Sequence, residues 1–412
     1  MVTPLSLAIT GTIFHYIYSL MKEYKLSKSL AVFTYVIISL LIAGCAWAVL
    51  MPLIPGMEDE IPFNVYVWLA PLLIAFIVLM IFGIVDTAKG KFVIDSDRVY
   101  SVSVFYNREL MHHEIKGFRS TDKHILIEPV DPAKKRIKVS TYISGTNEIL
   151  QWLSDNYPDL DLQNMQEERT EILNDQQYGG TTEEREEQLK RAGKAAKIVN
   201  YAGGIIAAWV LFFPRPYNVA TVVCMVFPII GFGILKYFDG LIKIDARKGS
   251  AFPSIAIAMM GTTISVLLRG AVDYNIFDYT NLWLPVIAVT VLLIAVVLMG
   301  TRAFSLKNGK EVPAAIVYCF MLAGYSYGSV VVLNCSYDNG KPEVYTTKIL
   351  NKRITTGKHT SRYFELTPWG LQKDTAEVTV HKSLYEQLEK GDSVNIYFMK
   401  GRFGISWFDV GD

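Results

Sequence analysis

The stretch "IVLMIFGIVDTAKGKFVIDSDRVYSVSVFYNREL", residues 77–110, changes character at Asp86. Up to Val85 it is an unbroken apolar run; beyond Asp86 apolar and polar residues alternate with a period of two, the mark of half-buried strands. One part suits a hydrocarbon solvent and the other suits a boundary between a protein core and water. The fold follows from how often the chain repeats that switch.

Upstream, the apolar run begins at Val65, and a similar one occupies residues 29–50. Spanning a bilayer takes about 20 apolar residues in a helix, because an unpaired backbone amide in lipid costs several kcal/mol and a helix pairs its amides internally. Downstream, residues 198–213, 218–235, 250–268, 282–300 and 312–333 read the same way, the first of these short and the last interrupted by tyrosines and serines. About seven transmembrane helices are expected. Hydrophobic residues make up 51% of the chain and are gathered into these runs, which indicates a membrane protein and makes the lipid bilayer its first partner. The 40 basic and 39 acidic residues leave a net charge of +1, so no global field exists to attract nucleic acid. Cys45, Cys224 and Cys319 lie inside apolar runs and Cys335 just past one, with no CxxC pair and no disulfide framework.

Lysine and arginine beside short loops mark the cytoplasmic side. Lys22, Lys25 and Lys28 precede the first run, Lys89 and Lys91 follow the second, and Lys190, Arg191, Lys194 and Lys197 precede the third. Lys236, Lys243, Arg247 and Lys248, then Arg302, Lys307 and Lys310, continue the alternation, whereas the opposite loops hold only Arg215, Arg269 and the acidic "GMEDEIPFN". This predicts a plasma (inner) membrane protein with residues 87–197 cytoplasmic and the tail after Leu333 extracytoplasmic. Residues 1–20 lack the basic start and small-residue cleavage site of a signal peptide. Segment 1–28 therefore reads as an extra helix or as sequence ahead of a true start at Met21, with a short basic leader.

Residues 29–86 form a transmembrane hairpin, and 87–160 a water-soluble insert. In the insert "KFVIDS", "RVYSVSVFY", "RELMHHEI", "KGFRST", "HILIEPV" and "RIKVSTY" read as six or seven short strands parted by turns such as Asp-Ser-Asp and "DPAK". In "GTNEILQWLSDNY", Thr146 or Asn147 can cap a helix whose Ile149, Leu150, Trp152, Leu153 and Tyr157 share an apolar face. On a strand, His112 and His113 point to opposite faces and cannot chelate one ion as neighbours. His113 is expected partly buried and His112 in solvent; a metal site built from His112, Glu114 and His124 is the competing reading and is not adopted.

The element order, the alternation in "VFYNRELMHHEIKGF" from Val104 and the closing "NEILQWL" helix resemble bacterial PH-like domains of multi-pass membrane proteins. The resemblance covers residues 87–160 and implies binding of protein or lipid headgroups, or regulated assembly, without catalysis. Lys134, Lys135, Arg136 and Lys138 are the candidate edge for anionic lipid headgroups, each basic residue near an anionic leaflet contributing on the order of 1 kcal/mol. The competing reading is a solvated turn.

Residues 161–197 are too charged to build a core and are read as a linker that connects and does not fold. Thr181 with Glu184 matches a capping box, and Glu186 with Lys190 and Glu187 with Arg191 are spaced four apart, so the second half continues as a helix into the third span. In the five-helix region 198–333 no span holds an ionisable residue near its middle, which weighs against a transporter or pump. Arg269, Asp273 and Asp278 fall at a span end, where a structural salt bridge is expected. Pro228, Pro253 and Pro285 leave room for the runner-up, a transporter or channel-like protein for a small solute. Gly324 with Gly328, and Gly203 and Gly204 with Ala207 and Ala208, predict close helix packing, within the chain or between copies.

From residue 334 the chain becomes soluble again. "VYTTKILNKRITT", "SRYFELTPW", "AEVTVHKSL" and "SVNIYFMKGRFGISWF" read as strands of a small β-barrel or sandwich, with "LYEQLEKGD" a helical turn stopped by Gly391. His359 and His381 are isolated; Lys352, Arg353, Lys358 and Arg362 offer a basic patch or a solvated hairpin. The β-rich ending resembles tails of uncharacterised bacterial membrane proteins. No P-loop, GxSxG, HExxH, Rossmann fingerprint or cysteine-based metal spacing is present. The fold class expected is a membrane α-helical bundle with an inserted PH-like β domain plus helix and a small C-terminal β-rich domain. The function expected is non-enzymatic, cofactor-free and metal-free: a scaffold or envelope-assembly factor with binding modules on both sides of the membrane and a protein partner, while a membrane enzyme, the third reading, would require His, Asp or Glu side chains to converge at the outer face.

Overall fold

The switch at Asp86 is a junction between one helix and two strands of a sheet. The computed structural model describes residues 21–56, 63–245, 248–300, 312–355 and 360–411. Residues 1–20, Arg247, Arg302, Lys307, Lys310, Lys358 and His359, on which expectations were placed, lie outside these. The chain divides into two compact units, Met1–Gln166 and Glu167–Asp412.

The first unit begins with strand β1 (Lys22–Lys25), then the long helices α1 (Lys28–Leu50) and α2 (Phe63–Lys89), then strand β2 (Lys91–Ile94). β1 pairs antiparallel with β2, Lys25 opposite Lys91, so the helix pair is inserted into what is otherwise a β-hairpin. Residues 22–25 are thus not a free basic leader; they are an edge strand of the soluble module. Its buried contribution is Tyr24, and its other side carries Ser144 N–H to the Lys25 carbonyl at 2.7 Å and a bridge from Leu26 to Ile143. Gly90 makes the return turn: a Cβ there would lie 2.5 Å from the Asp86 carbonyl oxygen.

Strands β3 (Arg98–Val102) and β4 (Asn107–Met111) complete a four-stranded antiparallel sheet, and β5 (Ile115–Ser120), β6 (His124–Pro129) and β7 (Ile137–Ser140) form a three-stranded one. The expected turns are present, with Asp95 accepting the Ser96 amide at 2.8 Å and Asp131 that of Ala133 at 2.9 Å. Helix α3 (Thr146–Asn156) closes the module. Ile149 and Leu153 are fully buried, and Leu150, Trp152 and Tyr157 pack against the same core of Phe92, Val99, Leu110, Ile125, Ile127 and Ile137. Each such side chain contributes about 1.5–3 kcal/mol on burial. The cap differs from expectation: Gly145 occupies the N-cap, and the Thr146 hydroxyl donates to the Thr141 and Ile143 carbonyls.

"RELMHHEI" is not one strand. His112–Glu114 form a 3-10 turn at the corner where the chain leaves one sheet for the other, held by the Met111 amide donating to the Glu114 carboxylate at 3.1 Å. The corner reverses the histidine assignment. His113 is exposed, while His112 is half-buried against Trp152, 5.4 Å between ring centroids.

Residues 161–197 fold as well as connect. Helix α4 (Leu160–Asn174) buries Ile172 in a core with Ala192, Ala196, Leu241, Ile242 and Ile255. A capping box joins Thr181 and Glu184, as the spacing predicts, and starts α5 (Thr182–Phe212), along which Arg191 pairs with Glu187 at 2.7 Å and Lys190 with Glu186 at 3.4 Å. α6 (Tyr217–Tyr237), α7 (Ala256–Val272), α8 (Trp283–Gly300) and α9 (Val312–Ser336) follow. Each of the seven apolar stretches forms a helix. Five (α1, α2, α5, α6 and α9) are long and apolar enough to cross a membrane; α7 and α8 are shorter. α7 starts only at Ala256: before it the Pro253 carbonyl accepts the Lys243 amide at 2.8 Å and the Ile255 amide donates to the Lys243 carbonyl at 3.0 Å, and Asn200 holds the first turn, accepting the Ala258 amide at 3.0 Å.

The tail is one six-stranded sheet in the order β11-β10-β9-β12-β13-β8. β9 (Glu343–Thr355) pairs through its first half with β12 (Ser393–Met399) and through its second with β10 (Ser361–Leu366), next to β11 (Ala376–Thr379). β12 and β13 (Trp407–Gly411) form a hairpin, and β8 (Asn275–Ile276), from the α7–α8 connection, pairs with β13. A short helix, α10 (Lys382–Gln387), lies where the helical turn is predicted. The expected barrel or sandwich is therefore a single sheet whose two halves join through β9 over one core of Phe364, Trp369, Ile396 and Phe398.

Candidate binding site beneath the first helix pair

Because α1 and α2 enter and leave the module at adjacent strands, the ends of β1–β4 on that side meet the last turn of α2. β7 runs across those ends: the Arg108 guanidinium on β4 donates to the Arg136 carbonyl before β7 at 2.7 Å, and Ile143 beyond β7 bridges to Leu26 after β1. Between them is a cavity of about 310 Å³, lined in part by Leu26, Asp86, Lys91, Ser101, Tyr106 and Lys138. Asp86 organises one wall. Its carboxylate accepts the Ser103 hydroxyl at 2.7 Å and the Val104 amide at 2.8 Å, which ties the β3–β4 turn to α2.

The four predicted basic residues are not equivalent. Lys134 pairs closely with Glu114, and its hydrogen bond holds that carboxyl below the usual glutamate value. Arg136 is 3.4 Å from Glu128. Lys135 and Lys138 are exposed, with no ion pair among the described residues, and Lys138 is the member at the cavity. Burial lowers the pKa of His124, on the strand beside β7, and the charges of Lys138 and Lys123 lower it further. Lys91 lines the same cavity and lies 2.8 Å from Glu23. The cavity thus sets two amino groups and several hydroxyls beside the Asp86 carboxylate.

Sequence reasoning missed Asp86 and Tyr106. The signal for Asp86 was present: it is the first charged residue after the whole apolar length of α2. Among the described residues no three His, Cys, Asp or Glu side chains are grouped to hold a metal ion, and His112, Glu114 and His124 do not converge. The chain matches no family model, no curated protein and no solved structure.

In the second unit Gly203, Gly324 and Gly328 pack within the chain. A Cβ on Gly328 would lie 2.4 Å from the Val266 carbonyl oxygen, one on Gly203 2.5 Å from the Ala258 Cβ, and Gly324 faces Leu267. Gly204 has nothing within 4 Å. Arg269 donates to the Val210 carbonyl at 2.8 Å and to that of Leu211 at 2.9 Å, capping the end of α5, and pairs with Asp273 at 3.1 Å. That is the structural bridge the sequence suggested.

Proposed function

We propose that this protein is a non-enzymatic, multi-pass plasma-membrane scaffold or envelope-assembly factor whose PH-like module engages anionic headgroups at the cytoplasmic surface. The observation that carries the reading is the insertion of the α1–α2 pair between β1 and β2. It sets the Lys91 and Lys138 cavity at the end of two apolar helices, where headgroups would lie. Seven strands in a four-stranded and a three-stranded sheet closed by one helix support the resemblance to PH-like modules. The distribution of lysine and arginine supports a cytoplasmic module and an extracytoplasmic tail, the second binding module. A protein partner is part of the reading, and transport is the alternative. Against transport, the Thr262, Ser265 and Ser326 hydroxyls in the bundle donate to carbonyls of their own helices, as packing hydroxyls do.

The test is lipid retention. Protein extracted in native-lipid discs is expected to hold anionic phospholipid above its share of the bulk membrane, and Lys138→Glu to remove the excess while Lys135→Glu leaves most of it. No enrichment in the wild type, or equal loss in both variants, would sink the headgroup reading.

A further inference from the structure

The β3–β4 turn, residues 103–106, carries two aromatic side chains. Phe105 is 63% exposed, and Tyr106 lies under the Arg108 guanidinium, 4.5 Å from ring centroid to cation. A phenylalanine this exposed at a turn is ordinarily unremarkable. Here the turn is pinned by Asp86 to the last turns of α2, and the Phe105 ring lies 6.2 Å from that of Phe82. Phe82 belongs to the apolar length of α2 and is itself 47% exposed. It sits one helical turn, about 6 Å, before Asp86 on the side away from the module.

We infer that the β3–β4 turn is an interfacial anchor: Phe105 enters the lipid beside Phe82, and Tyr106 and Arg108 sit at headgroup level. The occupant is the bilayer because the surface Phe105 joins is the exposed face of a helix long and apolar enough to cross it. The polar and apolar groups fall in the order an interface demands. Phe105 and Phe82 lie deepest, the Asp86 clamp with Ser103 comes next, and the aromatic–cation pair follows. The anchor would fix the orientation of the module and hold the cavity, which includes Tyr106, against the membrane. This inference rests on α2 being a membrane span and does not depend on what the cavity binds.

The experiment places the photoreactive aromatic benzoylphenylalanine at one position at a time in the full chain, in liposomes of defined phospholipid, and reads adduct masses after irradiation. Position 105 and position 76, in mid-α2, are expected to give phospholipid adducts. Position 96, in the turn at the other end of β2 and β3, is expected to give none. Lipid adducts at 76 but not at 105 would overturn the anchor alone; their absence at 76 would overturn the span and the anchor with it. Adducts at all three positions would show that the module lies flat on lipid, and would equally overturn a specific anchor.

Discussion

The α1–α2 pair and the α5–α9 bundle are both apolar helices, yet they are packed differently. None of the residues of α1 is buried and only 11% of the apolar stretch of α2 is, against 50% for α6 and for α9. Yet α1 and α2 have the higher mean hydropathy, 2.4 and 2.8 against 2.2 for α6 and 1.8 for α9. A face covered by lipid gains nothing from polarity, whereas a helix–helix contact uses glycine, serine and threonine to bring backbones together. Hydropathy therefore ranks solvents here and does not rank burial.

The sharpest way to break this comparison is to make one substitution in both regions. Gly328→Leu places side-chain atoms where the Val266 carbonyl already lies, against Gly270 and α7. It is expected to destabilise the bundle by about 3 kcal/mol, lowering Tm by roughly 6–12 °C. Gly44→Leu in α1 meets nothing within 4 Å and is expected to be neutral or slightly stabilising, since leucine is the better helix former by about 1 kcal/mol. Equal damage from both, in scanning fluorimetry of the purified protein, would mean that α1 is covered by protein.

A second contrast concerns how each soluble part is attached to its helices. In the second unit Asn334, fully buried at the end of α9, donates to the Ile405 carbonyl at 2.8 Å and accepts the Phe403 amide at 2.9 Å. Asn334→Ala leaves both groups without their partner, and a loss of about 2–3 kcal/mol with faster proteolysis of the β12–β13 loop is expected. In the first unit the matching clamp is Asp86, half-exposed and in the last turn of α2. Asp86→Ala is expected to cost about 1–2 kcal/mol and to speed hydrogen exchange at the Val104 amide. Unchanged exchange there would remove the clamp from the account.

Much of this was legible. Runs of apolar residues located all seven helices, five of them long and apolar enough to cross a membrane, and the capping box at Thr181 located the start of α5. What stayed hidden depends on partners distant in the chain. "KEYK" at 22–25 shows no strand pattern of its own, since it is an edge strand with one buried residue and its partner β2 lies beyond two long helices. The corner at His112–Glu114 keeps strand-like composition while the backbone turns. Ile172 gives α4 a buried contact that its charged sequence conceals. At the candidate site the cluster at 134–138 was visible, but the pairing of Lys134 with Glu114 and of Arg136 with Glu128 was not, because neither glutamate is a sequence neighbour of its partner.

The smallest expected effect tests the edge strand that ties the first helix pair to its module. Hydrogen bonds from Lys25 and Lys91, both at 2.8 Å, hold the Glu23 carboxyl below its ordinary value of 4.5. A carboxyl whose folded pKa is depressed stabilises the fold fully above its unfolded value, and that contribution is lost as pH falls through the folded pKa. The pairs are partly exposed, so screening limits the contribution to below about 1 kcal/mol, or roughly 1–3 °C in Tm. Glu23→Gln removes the charge at every pH. The wild type is therefore expected to melt slightly above the variant near neutral pH, with the gap closing as pH drops below 4.5. A gap that persists at low pH would assign the effect to packing of the side chain. No gap at any pH would mean that β1 is held by its backbone ladder and Tyr24 alone.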